Sequence, residues 1–511
     1  MMHIQWLLVL AGGTLASCLW IVVYRLLLSP LAKVPGPKLA AFSWLYEAFY
    51  DVWHKGQYVF KIKKLHEQYG PIIRPVPDEV HINDPDYLDT IYAIRGRNNP
   101  NNPGLLVEKS VGGAEDFYLH KLRREALNPF FSQKFMLTME DAITEKKDRV
   151  IRHFDTALQT EEVLNLSDVY FAFSNDLVRN FSLGSDSDLL NDLDEASRQR
   201  VSLMNLLTGV KINKHFPIFA KLGSMVSAVL GEKVIPPAVM DLLQFKGRAR
   251  RDIEAVLNDV DDKEKGRHSV FYELRDTEIL PPEEKTVSRL QDEATLIVMA
   301  GTESLAKSLQ YGTYYLLSYP ETLEKLRKEL DEARQSSNDG KLTLSTLLAL
   351  PYLNAILMET NRLTFGVTNR MLRYSPTETL TYTASYGPHK GQTYVFPPGT
   401  KMSCTTYCTH TNGELFPDPF KFNPERFIGQ SAEVTRRKKF MMALGKGHRR
   451  CLGVNLANAG MCLVLASMAQ YHTELFETTY EDVAFKHDYQ IAHPRLDTRG
   501  IRVKVGSRLS I

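Results

Sequence analysis

The chain has 511 residues, enough for about three average domains. Its composition, 44% hydrophobic, 24% charged and 10% aromatic, excludes a disordered chain, a collagen-like repeat and a polytopic membrane protein. Lysine and arginine total 62 against 60 acids, a net charge of +2, so no global field points to nucleic acid. Five cysteines, odd in number and scattered, exclude a disulfide scaffold and point to a reducing compartment.

Residues 4–24 carry no fixed charge and are dominated by Leu, Val, Ile, Ala and Trp. At about 1.5 Å per residue this run spans roughly 31 Å, the thickness of a bilayer core. Trp6, Trp20 and Tyr24 mark its ends, and the flank carries Arg25, Lys33 and Lys38 before the first acid, Glu47. Positive flanks stay cytoplasmic, so residues 1–28 are expected to be a single-pass anchor with the remainder cytosolic. A cleaved signal peptide fits less well, because no Lys or Arg precedes the run. Val34-Pro35-Gly36-Pro37 then predicts a stiff hinge over residues 29–38, leaving 39–511 as the body.

Residues 70–95 alternate β-prone runs with Pro and Asp turn signals and predict a small hairpin before a helix. Residues 98–113, rich in Asn, Pro and Gly, read as a long loop. From 130 to about 254 the apolar spacing is helical, and residues 203–230 are apolar enough to be core or a second membrane-touching surface. Pro281-Pro282-Glu283-Glu284 has helix-start chemistry for a helix running to about Ser318. The centre of that helix is apolar on every face, so it crosses the protein interior. Residues 374–408 read as a β-rich lobe, and a helix is predicted from about Leu452 to His472. The fold class is mainly α with a small β lobe.

The strongest chemical signal is Leu444-Gly445-Lys446-Gly447-His448-Arg449-Arg450-Cys451-Leu452-Gly453. A cysteine closes a glycine-rich basic loop and opens an apolar helix, a setting expected to lower its pKa. No Lys-Ser/Thr follows the glycines, which argues against a phosphate loop. Glu359-Thr360-Asn361-Arg362 places an acid and a base on one helix face. Within the long helix, Ala300-Gly301-Thr302-Glu303-Ser304 sets an acid beside an alcohol, a costly pair in an apolar helix unless both are used. Cys404, Cys408 and His410 suggest a metal set but lack a fourth ligand. Cys18 and Cys462 read as packing residues. Arg436-Arg437-Lys438-Lys439, with Lys446, His448 and Arg450, forms a basic cluster suited to an acidic partner.

In family order these segments resemble the cytochrome P450 family of haem-thiolate monooxygenases, whose signature F-x-x-G-x-R-x-C-x-G is matched at Gly447, Arg449, Cys451 and Gly453. The resemblance implies the cytochrome P450 fold with one N-terminal transmembrane helix, and haem b held by Cys451 as axial iron ligand. It also implies that His120, Arg124, Arg370 and Arg449 contact the cofactor, with Gly447 in the loop. Gly301, Thr302, Glu303 and Ser304 fall on the family's oxygen-activating groove, with Ser304 in place of threonine as the proton-relay hydroxyl. Pro424-Glu425-Arg426-Phe427 supplies Arg426 to the Glu359–Arg362 pair as a structural brace. Leu444 replaces the signature's phenylalanine, which implies a shifted iron potential.

With no dinucleotide or flavin motif present, electrons are expected from NADPH through a separate NADPH–cytochrome P450 reductase, with cytochrome b5 a second candidate donor. Residues 31–46 and 127–132 resemble members from ascomycete secondary metabolism, the group around trichodiene oxygenase. That implies hydroxylation or epoxidation of an apolar small molecule, a terpenoid first, a polyketide or fatty-acid derivative second, at the endoplasmic reticulum membrane. A reductase-independent haem-thiolate isomerase or dehydratase is the alternative. By family position the pocket is expected from residues 98–117, 203–222, 297–301 and 365–369. Lipid is the only macromolecular surface implied besides redox partners; nucleic acid is not.

Overall fold

A computed structural model describes residues 2–100, 107–185, 187–218, 237–259, 269–337 and 339–509. The chain divides into two units, residues 1–100 with 369–409, and residues 101–368 with 410–511.

In the first unit the apolar run forms the helix Met2–Val23, continued by a wider helical turn over Tyr24–Leu28. Val9–Leu28, with a mean hydropathy of 1.6, is long and apolar enough to cross a membrane. The proline segment behind it is tied to the hairpin that follows. The Arg74 amide donates to the Pro35 carbonyl at 2.8 Å, and the Arg74 guanidinium donates to the carbonyl of Arg25 at 2.6 Å. A Cβ at Gly36 would come within 2.9 Å of the Arg74 carbonyl oxygen, so only glycine lets the two backbones approach this closely. Ile72–Val76 and Glu79–Ile82 form the predicted antiparallel hairpin, both strands fully buried, and Lys401–Ser403 adds a parallel third strand. Leu380–Thr383 pairs with Thr393–Phe396, turning Tyr382, Tyr394 and Phe396 inward. The β-rich lobe is thus assembled from both ends of the unit's sequence.

In the second unit the long helix runs over Val287–Ser318. It starts later than the acid-flanked prolines suggest, because Pro282–Lys285 closes a 3-10 turn and Thr286 is extended. The segment 219–230 and the loop stretch 101–106, on which a membrane-touching surface and part of the pocket were expected, lie outside the described residues. The helix Leu193–His215 precedes the former.

Val454–Met468 crosses the long helix at short range. Gly460 admits Leu305 and Gly312 admits Leu465, each at 3.2 Å from where a Cβ would stand. This helix ends at Met468, four residues short of the predicted His472. Tyr471–Leu475 instead pairs with Arg502–Arg508, which pairs in turn with Leu164–Asn165. The alternation Tyr-His-Thr-Glu-Leu carries a period of two, and an available edge decided the outcome. The core of the unit packs Leu166–Leu183 against the long helix, with Phe171, Phe173 and Leu177 buried between them.

Candidate active site

The cysteine loop of the second unit is shaped by two left-handed glycines, Gly445 at φ 70° and Gly447 at φ 67°. The Gly445 amide donates to the Met442 carbonyl at 2.8 Å, and the Cys451 amide donates back across the loop to the Leu444 carbonyl at 2.7 Å. Helix Val454–Met468 begins three residues on, with Gly453 as its cap. Cys451 is exposed, whereas Cys404, Cys408 and Cys462 are buried. Burial pushes the Cys404 thiol up to about 12, and its sulfur bonds Thr409 and the Thr405 carbonyl, so it is chemically inert.

The expectation that loop and helix end lower the Cys451 pKa is corrected. Cys451 keeps accessible surface, but the protein packed around its sulfur thins the water there, and this desolvation raises the pKa against the Gly453 amide, Arg124 and Arg450, which act the other way. The Gly453 amide at the helix cap does reach the sulfur, but its pull is the smaller effect.

Behind the loop stands a buried ion cluster. Arg362 and Glu359, both 0% exposed, share two bonds of 2.7 and 2.8 Å. Glu359 also accepts from the Asn423 amide at 2.9 Å and from Arg426 at 3.3 Å. Arg362 donates further to the carbonyls of His410 and Pro419. Each charge is met, the condition for burying them. The helix Pro351–Thr364 then ends in left-handed Phe365 and Gly366, and Gly366 lies directly against the Ala443 carbonyl at the start of the cysteine loop.

On the long helix the accessible positions form a strip. Ala300 and Ser304 are exposed and Ile297 and Gly301 partly so, while Val298, Met299, Thr302 and Glu303 are buried. An interior helix with one open stripe borders a cavity. Ser304 Oγ donates to the Ala300 carbonyl at 2.6 Å, and the helical run is continuous through it. The hydroxyl bonds back to its own preceding turn without interrupting the helical ladder.

Gly301 lies at the edge of the strip and packs closely on a neighbouring helix, while Thr302 is turned wholly into the packing. A Cβ at Gly301 would sit 2.7 Å from Val178 Cγ2, and Thr302 Oγ1 accepts from Asn175 at 3.1 Å. Glu303 faces the interior opposite Lys307, 4.0 Å away, with its Oε2 unpartnered. Burial raises the Glu303 pKa against the pull of Lys307 and Arg200, and lowers Lys307 to about 8. Lys307 also donates to the Ala492 carbonyl. The i,i+4 spacing of Glu303 and Lys307 was readable in the sequence and was missed.

The predicted cofactor-binding cations divide. Arg124 donates to the Arg450 carbonyl at 2.6 Å and has no carboxylate partner among the described residues. His120 is buried with its ring edge-on to His448, 5.3 Å between centroids. Arg449 donates to the carbonyls of Ala114 and Glu115 at 2.7 and 3.1 Å.

Arg370 is corrected. It lies in the first unit, where its guanidinium pairs with the buried carboxylates of Glu47 at 2.7 Å and Glu79 at 2.8 Å, so its charge is already neutralised. Arg373, which the sequence reading passed over, is buried there beside Asn99 Oδ1 at 2.9 Å without a carboxylate partner among the described residues.

An accessible thiol in an interior loop, with a carboxylate-free arginine electrostatically coupled to it, fits a cofactor that offers a metal to sulfur and anionic groups to cations. A profile of the family described as Cytochrome P450 matches residues 35–484. The chain is similar to cytochrome P450 monooxygenase TRI4 of Fusarium sporotrichioides, 34% identical over 95% of this chain and 92% of that one. It is similar to conidiogenone synthase PchP450 of Penicillium rubens, 32% identical over 98% and 99%, and to cytochrome P450 monooxygenase sdnE of Sordaria araneosa, 34% identical over 95% of each. Fold, loop and likeness converge: the chain belongs to the cytochrome P450 family and is an oxidoreductase of the monooxygenase type.

Proposed function

We propose that this monooxygenase oxidises an apolar secondary metabolite, a terpenoid in the first place, using dioxygen and electrons from NADPH delivered by a membrane-bound reductase. The accessible Cys451 thiol on its braced loop carries the reading. Cys451 would hold the haem iron, and Arg124, His120 and Arg449 would meet the haem carboxylates. When bound, the haem supplies activation of dioxygen. Ser304, on the open strip, donates its proton to Ala300 and leaves its lone pairs toward the cavity. A proton arriving there is passed on by rotation of the hydroxyl. Glu303, buried with a raised pKa, stands behind it as a group that can take up and return a proton.

An apolar substrate agrees with how the second unit treats the charges near its expected pocket. Lys211 is buried against Asp488 at 2.8 Å, and Thr368 donates to the same carboxylate at 2.6 Å. Neither is left to solvate a polar ligand. The terpenoid assignment rests on the similar fungal enzymes, and the helix Met2–Val23 supports placement of the enzyme at the endoplasmic reticulum membrane with its body cytosolic.

The test is expression with reductase in a host fed sesquiterpene and diterpene hydrocarbons, with Cys451→Ala alongside. The wild type should give the red-shifted thiolate band in its reduced carbon monoxide complex and NADPH-dependent oxygenated products; Cys451→Ala should lose both. Turnover without NADPH would favour the isomerase or dehydratase reading.

A further inference from the structure

His410 lies at the end of the turn Thr406–His410 and is fully buried. Its ring makes two hydrogen bonds whose directions are fixed by their partners. Nδ1 lies 2.9 Å from the Arg362 carbonyl, which can only accept, so Nδ1 carries the proton. Nε2 lies 3.0 Å from the Met442 amide, which can only donate, so Nε2 is bare. Arg362 returns a bond from its guanidinium to the His410 carbonyl at 2.9 Å. The ring of Phe365 stacks on the imidazole at 6.0 Å and 27°. Burial and the neighbouring Arg362 charge both disfavour an imidazolium here, so one tautomer serves both bonds.

The chain of contacts continues to the sulfur. The Met442 carbonyl receives Gly445, and the Leu444 carbonyl receives Cys451. Between the Glu359–Arg362–Arg426 cluster and the cysteine loop, His410 is therefore a side chain bonded to both. A histidine that merely satisfied its own polarity could take any two partners. This one joins the ion cluster to the loop that presents the thiol, and a lysine or arginine could not replace it, having no acceptor for Met442.

We propose that His410 is a positioning residue for Cys451: its neutral ring transmits the rigidity of the Arg362 cluster to the Met442 amide and so fixes where the sulfur meets the iron. The proposal rests on Cys451 being the haem ligand.

The experiment compares purified holoenzyme with His410→Gln, His410→Asn and His410→Phe. Gln places its carbonyl oxygen near the Nε2 position and keeps an acceptor for Met442. Asn places its amide near Nδ1, keeps the donor to Arg362 and abandons Met442. Phe fills the ring volume and makes neither bond. Leaving the Met442 amide unsatisfied should shift the ordered-to-disordered equilibrium of the loop by roughly 5- to 150-fold.

The readouts are the thiolate fraction of the reduced carbon monoxide complex, the haem reduction potential and the thermal midpoint. The expected order of thiolate fraction is wild type, then Gln, then Asn, then Phe, with the potential of the Asn variant displaced even where its midpoint is preserved. An Asn variant with wild-type band and potential overturns the proposal. So do equal losses in the Gln and Asn variants that merely follow the midpoint. A wild-type protein lacking the thiolate band overturns the ligand assignment, and the proposal with it.

Discussion

Gly366 offers a measurement of how tightly the helix end presses on the cysteine loop. Its φ is 58°, and an added Cβ would overlap the Ala443 carbonyl oxygen, 2.8 Å from the carbonyl carbon and 2.9 Å from Cα. These are backbone atoms, so no rotamer change relieves the clash. The overlap with that oxygen is deep enough that the loop must retreat by about 1 Å or more to reach even a tight contact, a displacement beyond the roughly 0.5 Å tolerance of a functional site. Gly399, at φ 84° with nothing within 4 Å, is the control.

In Gly399→Ala only the left-handed strain is charged, about 1–2 kcal/mol. Gly366→Ala bears the same strain plus about 1–3 kcal/mol of overpacking. Denaturant titration of the two variants should therefore differ by about 1–3 kcal/mol, and only Gly366→Ala should lose part of the thiolate band, because only there is the Cys451 loop displaced. Equal stability and an intact band in both would refute the claim that Ala443 is held against the helix end.

The remaining predictions address charge, proton supply and pH. Glu359→Gln strips the acid from between two buried guanidiniums and should cost about 3–5 kcal/mol; a loss under about 1 kcal/mol on denaturation would show the cluster to be dispensable. Ser304→Ala should keep the haem spectrum while lowering product formed by about 10²-fold, the low end for a positioned proton donor, with NADPH consumed unproductively; unchanged product per NADPH would remove Ser304 from the relay. His66, His410 and His493 are held at about 4, 3 and 3 by burial. Their folded pKa values lie below the unfolded 6.5, so the unfolded chain takes protons first. Their stabilisation is whole above pH 6.5 and drains as pH falls toward 4 and 3, each losing about 2 kcal/mol by pH 5. A thermal midpoint that stays flat from pH 6.5 to 5 would contradict these neutral rings.

What the sequence by itself determined was everything carried by short spacing and by period. The long apolar N-terminal helix follows from an uninterrupted apolar run, the Glu359–Arg362 pair from neighbouring positions on one helix turn, and the cysteine loop from glycines that permit left-handed backbone. What it could not decide was which of several similar groups would be used. Arg370 and Arg373 are near-equivalents in the sequence, yet the first is claimed by Glu47 and Glu79, 323 and 291 residues away. Gly301, Thr302, Glu303 and Ser304 form one motif, but the turn of the helix sends Thr302 to Asn175 and Glu303 to Lys307, leaving Ser304 on the open strip. The pKa of the Cys451 thiol is raised rather than lowered, because desolvation is set by all the protein packed around the sulfur and outweighs the local loop. His410, dismissed from a metal set, gains its place only once Met442 and Arg362 are brought to its two nitrogens. Local chemistry is written in adjacent residues, whereas desolvation and partner choice depend on distant ones, and those only the tertiary structure brings together.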